Sequence, residues 1–406
     1  MNRTEKVKIY GSIVSISFIQ GLQFSVAPVL GQISRHYPAV DISLVQMLIT
    51  GPALSAMVFS LIAGWLAVRI SMKKLLVSGS FLAGAAGIAP FLWDSFPLLF
   101  ACRMIYGISL GLALALNTAV VARFFQGDER VTAMGFQAAS IGGGMVVVSA
   151  VGGALGSLGF RLSYLVNVIG FISMIVLAVF LPGTNGEEAD RGKNGRRPGD
   201  GTRSIRLSHP VFMMCLLGML EFLFLISFTT NIAMHMSGEL AGNSSASGSL
   251  TGIFSGTQII VGLVLGRITR LFKKAALPAA MASFAVGSLM LAAFPSDYLM
   301  LAVGAVFCGI SQGIFVPTAM VEVSGAVLPA ATAMAAACYG CAQCIGQFIS
   351  PMVLNAVTSA VFKSVTTTHV YVVAAVGMFL AAVLAAFVKM GTHACLKHAD
   401  EIKLGE

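Results

Sequence analysis

Two charged side chains stand inside long apolar runs, and they are the residues with the most pronounced chemistry. Glu221 lies about eleven residues into a run that starts near 210, roughly 16 Å along a helix. Arg103 lies about seven residues from one end of the run 96–122, roughly 10 Å in. A charge in an apolar medium is costly and normally faces a cavity or a partner. Burial favours the protonated form of a carboxyl, so Glu221 could load and release a proton. It is the expected proton-coupling residue. Arg103 carries a planar fork of donors that suits an anionic group. It could also compete with the proton for Glu221. The plainer reading of either residue is a hydrogen-bond anchor between helices. Glu322 falls late in its run and fits an interface position instead.

Uncharged polar residues at similar depth widen the set. Gln20, Gln23, Gln258 and Gln312 lie inside apolar runs. Tyr339, Gln343 and Gln347 fall at i, i+4 and i+8, on one face of a helix. Each could bind a small ligand, and for each an interhelical hydrogen bond is the plainer reading. Cys338-x-x-Cys341-x-x-Cys344 invites a metal reading. The thiols lie in mid-run with no His or fourth Cys close by, so small packing residues are expected and no metal. No Gly-x-x-x-x-Gly-Lys-Ser/Thr loop occurs, so ATP is not the expected driver, and no cofactor is expected. Asn243-Ser-Ser245 fits a glycosylation acceptor, a tripeptide common by chance.

These residues need elements to position them. Of 406 residues, 57% are hydrophobic and 10% charged, whereas soluble domains carry about 25% charged. So few charges cannot cover a water-soluble fold of this size, which makes lipid the solvent. Runs of about 20 apolar residues can cross a bilayer. They are read at 9–33, 43–68, 75–93, 96–122, 131–157 and 160–181, then at 210–236, 247–271, 275–295, 298–325, 329–361 and 369–389. Pro28, Pro52, Pro317 and Pro351 lie inside them, which neighbouring helices can tolerate. The first run is too long for a secretory signal and lacks a clear cleavage site. The passage 182–209 is polar, rich in Gly, Pro and charge, and cannot build a core. It is expected to link an N-terminal domain, 1–181, to a C-terminal one, 210–406.

The net charge of +9 would suggest nucleic acid only if position were ignored. With the N-terminus inside, Arg35, Arg161 and Lys363 face out, Arg103 lies within a run, and the other 21 of 25 Lys and Arg lie inside. Both termini and the linker are therefore expected to be cytoplasmic. The halves also repeat. Gly107-Ile-Ser-Leu-Gly111 recurs 202 residues on as Gly309-Ile-Ser-Gln-Gly313, Gly64 maps to Gly266, and Ser149 maps to Pro351. An even number of runs in each half makes this a parallel repeat, with a ligand site expected near the midplane.

The loop Gly64-Trp-Leu-Ala-Val-Arg-Ile-Ser-Met-Lys-Lys74 resembles the signature of the major facilitator superfamily, Gly-x-x-x-Asp-Arg-x-Gly-Arg-Lys. Gly64, Arg69 and Lys73 match this conformational motif, while Val68 stands for the Asp and Ser71 for the second Gly. Arg103-x-x-Tyr-Gly107 is similar to the family's fourth-helix Arg-x-x-Gln-Gly. Gly159-Phe-Arg-Leu-Ser-Tyr-Leu-Val-Asn167 is similar to its Gly-Trp-Arg-x-x-Phe-x-x-Asn, and Gly309 to Pro317 resembles its tenth-helix motif. The Gly-rich fifth run resembles the antiporter motif, with Val148-Ser149 in place of Gly-Pro. The resemblance is closest to the drug and arabinose efflux branch.

It implies an all-α membrane protein of twelve helices in two six-helix bundles that rock around a central site. By the same resemblance, helices one, four, seven and ten line the cavity, which favours Gln20, Gln23 and Gln312 as substrate-binding residues, joined here by Arg103, Tyr339 and Gln343. The expected function is secondary active transport of a small solute, by proton-coupled efflux. The alternatives are uptake of a small organic anion by symport or exchange, and a membrane sensor that binds without transport. No enzyme is expected, because no His/Asp/Glu cluster lies at one depth. The expected setting is a bacterial inner (plasma) membrane, with the chain monomeric.

Overall fold

The computed structural model describes residues 3–125, 127–182, 209–272, 275–327 and 332–387. Twelve helices among them are long and apolar enough to cross a membrane, each on one of the expected runs. They are Thr4–His36, Ile42–Ala67, Met72–Leu92, Phe96–Phe124, Thr132–Ser157 and Phe160–Phe180, then Pro210–His235, Ser244–Phe272, Ala276–Ala293, Tyr298–Val323, Met334–Phe362 and Thr367–Phe387. We number these spans one to twelve. No strand occurs among the described residues. The six basic residues of the linker lie outside the described residues, as does the C-terminal tail beyond 387.

Local chemistry sets the ends. Asp41 accepts from Ser43 N at 2.7 Å and opens span two. Asp297 does the same for span ten through Leu299 N and Met300 N. Asn243, the glycosylation candidate, accepts from Ala246 N at 3.0 Å and starts span eight. Such side-chain acceptors satisfy backbone donors that a helix start leaves free. Pro52, Pro90, Pro317 and Pro351 are accommodated within helices, but Pro28 is not. Span one is broken: Arg3–Gly21 is followed by 3-10 turns at Leu22–Phe24 and Ala27–Val29, then a short helix Leu30–His36. Span seven breaks too, at Ile226, between His209–Leu225 and Ser227–His235. Residues 22–24 shifted by 202 become 224–226, so the sequence repeat extends to the irregularities.

By packing, the chain forms two compact units. The first is Met1–Thr202 with Thr229–Gly256, and the second is Arg203–Phe228 with Thr257–Glu406. In the first, Ile9, Ile13, Ile16 and Ile19 make a buried stripe on span one. They join Tyr106, Leu110, Ala113 and Leu116 of span four in one core. In the second, Leu223, Leu354 and Val370 form a core cluster. Lipid is as apolar as these side chains, so helices associate through close packing of small residues.

One glycine contact shows this at both copies of the repeat. A Cβ on Gly111 would sit 2.6 Å from Ala56 O and 3.0 Å from Phe59 Cβ. One on Gly313 would sit 3.0 Å from Gln258 O and 2.9 Å from Val261 Cβ. All three positions shift by 202, so span four lies on span two as span ten lies on span eight. Gly111→Val or Gly313→Val should therefore destabilise by about 1–3 kcal/mol through overpacking. Thermal unfolding in detergent checks this, and an unchanged melting temperature would contradict the close approach.

Candidate functional site

The first unit holds Arg103 at 4% exposure. Two irregularities explain why a guanidinium is tolerated there. Pro52 has no N–H to give Leu48 O in span two, and span one breaks beside Gln23, so Arg103 meets carbonyls on both spans. Its Nε donates to Leu48 O at 2.7 Å. Nη2 donates to Gln23 O, and Nη1 makes longer contacts to Leu22 O at 3.5 Å and Ser25 Oγ at 3.4 Å. The guanidinium also lies 5.0 Å from the Tyr106 ring centre. Tyr106 OH donates to Ile19 O at 2.6 Å. The charge expected to meet an anionic group is thus applied to the carbonyls of spans one and two.

Gln20 and Gln23 are buried beside it. Gln20 Nε2 donates to Ala113 O at 3.2 Å and Gln23 Nε2 to Ile49 O at 3.3 Å. With Asn117 Nδ2 donating to Ser17 Oγ at 3.2 Å, these bonds run along span one and tie it to spans two and four.

The second unit is arranged differently. Glu221 is fully buried, and neither carboxyl oxygen has a hydrogen-bond partner. Its helix packs on span eleven through small residues. A Cβ on Gly346 would lie 2.1 Å from Met219 O, and one on Gly218 would lie 2.5 Å from the Tyr339 ring. Ser350 Oγ donates to Leu223 O at 2.5 Å. Tyr339 is buried and accepts from Gln343 Nε2 at 3.1 Å, as the i, i+4 spacing predicts. Gln258 Oε1, Gln312 Oε1 and Gln347 Nε2 are buried atoms without partners. Unpartnered groups of this kind are costly and point to a proton, water or ligand.

The motif loop lies elsewhere. Gly64 has open space where a Cβ would go, and Arg69 lies 4.2 Å above the Trp65 ring centre. Lys73 is half-buried. Cys338, Cys341 and Cys344 are unpaired thiols.

A further set was only partly singled out from the sequence, through the glycines of the fifth run and not their partners. It belongs to the first unit, at the helix ends that the charge count puts outside. Gln46 Nε2 donates to Asn231 Oδ1 at 2.7 Å, both buried. Spans five and eight cross at Gly153 and Gly248, where an added Cβ would come within 2.5 Å of Ser244 O or Ser149 O. Ser244 Oγ donates to Gly153 O at 3.1 Å. Gln32 Nε2 reaches both Gly156 O and Gly242 O at 3.2 Å. The signal lay in small residues at helical spacing, Gly152, Gly153 and Gly156 against Ser244, Ser247 and Gly248.

Solved structures share this architecture. The crystal structure of a point mutant of the nucleoside transporter NupG superposes with a TM-score of 0.75 at 13% identity, covering 95% of this chain and 99% of that one. A bacterial homologue of the human lysosomal transporter Spinster, inward-facing and occupied, gives 0.67 at 14% identity, covering 95% and 96%. At such identities the likeness is one of fold. No curated protein sequence matches the chain. The Major Facilitator Superfamily model matches twice, over residues 13–238 and 214–399, consistent with twelve helices in two six-helix bundles. On that match over both halves, the chain belongs to the Major Facilitator Superfamily, whose members carry small solutes across membranes.

Proposed function

We propose that the chain is a proton-coupled secondary active transporter that moves a small solute outward by alternating access. The observation that carries the coupling is Glu221. Its carboxyl is enclosed, with both oxygens unpartnered, and an ionised carboxylate is strongly disfavoured there. It therefore holds a proton in this state and gives it up when water or a cationic partner reaches it. Gln312, Tyr339 and Gln343 are the candidates in the same unit to sense that change and meet the solute. Arg103, Gln20 and Gln23 keep the broken first span in place during the cycle. Alternating access is supported by the seam of glycines and amides, whose bonds named above join uncharged groups. Anion uptake is the second reading, and it needs Arg103 to exchange carbonyls for a carboxylate.

The domains follow the repeat, 1–181 and 210–406 around the linker. Gly64, Arg69 and Lys73 act at the cytoplasmic face of a bacterial inner membrane, with the chain working as a monomer. The ligand is found by thermal shift, since a binder raises the melting temperature by mass action. Nucleosides, named for one structural neighbour, belong in the panel. Labelled binder should then exchange across proteoliposomes, and binding without exchange would mark a sensor. Orientation has its own test. Ser204 lies outside the described residues, in the linker, and Asn243 is exposed. In intact cells, Asn243→Cys should react with an impermeant maleimide and Ser204→Cys should not, and the reverse would invert the topology.

A further inference from the structure

Once its proton has left, Glu221 must hold a negative charge inside the second unit. No Lys or Arg of that unit is buried among the described residues. A buried carboxylate without a cation depends on neutral donors and water. One such donor stands beside it. Tyr339 of span eleven is fully buried, and its ring lies against Gly218, one turn before Glu221 on span seven. A Cβ on Gly218 would sit 2.5 Å from Tyr339 Cε2 and 3.1 Å from Cζ, the carbon that bears the hydroxyl. Helical side chains lean back over the preceding turn, which brings the Glu221 carboxyl towards that ring. The two groups lie within electrostatic range of each other. The Tyr339 hydroxyl accepts from Gln343 Nε2 at 3.1 Å and makes no other hydrogen bond among the described residues. Its own proton is therefore unspent, and both oxygens of Glu221 are without a partner.

We propose that Tyr339 holds the ionised form of Glu221: the proton leaves to water, and the phenol donates to a carboxylate oxygen while Gln343 keeps the phenol oxygen in place. The phenol keeps its own proton, so one hydrogen bond is gained and no group is transferred. Tyr339 is then a positioning residue of the proton cycle. This role rests on the reading of Glu221 as the proton carrier. Spans ten, eleven and twelve pack against span seven. Their other titratable side chains are Cys308 and Glu322 on span ten, Cys338, Cys341 and Cys344 on span eleven, and Tyr371 on span twelve, beyond Tyr298 and His369 in the first turns of spans ten and twelve. Cys215 and the terminal His235 share span seven with Glu221. Of all these, Tyr339 alone has its ring on the turn before the carboxyl.

Infrared spectra of the purified protein test this without a solute. The protonated-carboxyl stretching band that Glu221→Gln removes belongs to Glu221. That band should fade as pH rises from about 5 to about 10. In Tyr339→Phe the carboxylate loses its donor, so the midpoint of the fading should rise by about one pH unit. That is about tenfold in the equilibrium, as for a hydrogen bond to a charged group. Phenylalanine keeps the ring on Gly218, so the variant should melt near the parent. Tyr371→Phe removes another buried phenol, one that donates to Phe228 O at 3.3 Å, and should leave the midpoint alone. A midpoint unmoved in Tyr339→Phe, or moved as far in Tyr371→Phe, would overturn the role of Tyr339 and leave the proton-carrier reading standing. No band lost in Glu221→Gln, or a parent band that never fades, would overturn both.

Discussion

Glu221→Gln should abolish pH-driven accumulation of solute in proteoliposomes while leaving solute exchange close to that of the parent. Glutamine has the shape of the protonated acid and cannot lose a proton. The variant is fixed in the neutral form that the enclosed site favours, since its two oxygens have no partner to hold a charge. Exchange needs only the solute-bound protein to reorient, whereas accumulation needs the proton to be bound on one side and released on the other. The expected loss is of the whole gradient-driven component, at least tenfold over background for a coupled carrier, as a 1.4 kcal/mol driving force corresponds to about a factor of ten. Glu221→Gln should also be as stable as the parent or more so, because no charge need be neutralised to bury it. A variant that accumulates solute normally under a pH gradient would leave Glu221 as a packing residue.

Arg103→Leu has the second large effect, and it falls on folding. Removing the guanidinium leaves Leu48 O and Gln23 O without their donor in a buried site. A buried polar group left unpaired costs about 1–3 kcal/mol. The longer contacts to Leu22 O and Ser25 Oγ go as well. A total on the order of 3–5 kcal/mol belongs to the severe class. The leucine variant should therefore express poorly and melt early. Arg103→Lys keeps the charge but not the fork, and it should fall between the two in melting temperature, with exchange of any solute reduced in proportion to folded protein. A lysine variant that melts like the parent yet fails to bind an anionic solute would show instead that the arginine reads the solute.

The spans were legible because run length is a sharp signal in a chain with so few charges. The repeat was legible from Gly107-Ile-Ser-Leu-Gly111 and Gly309-Ile-Ser-Gln-Gly313, and the structure adds the glycine contacts and the helix breaks at the same offset. The depth of Arg103 was readable, but its partners were not. Sequence shows the cost of a buried charge, and a nearby acid or an anionic ligand is the natural guess. Pro52 does mark the free carbonyl of Leu48 four residues before it, but the 3-10 break at Leu22–Phe24 leaves no mark in residue type. Gln20 and Gln23 were found for their polarity, and one donor of each proves to be bonded, to Ala113 O and Ile49 O. The bond from Gln46 to Asn231 joins residues 185 apart, and neither stands out from other amides in apolar runs.

Coupling itself is measured by following protons and solute together. In weakly buffered proteoliposomes with no imposed gradient, adding the solute found by thermal shift should move protons in fixed ratio to labelled solute. With Glu221→Gln the solute should still cross down its gradient and the pH should not change. Solute crossing through the parent protein without proton movement would contradict the account.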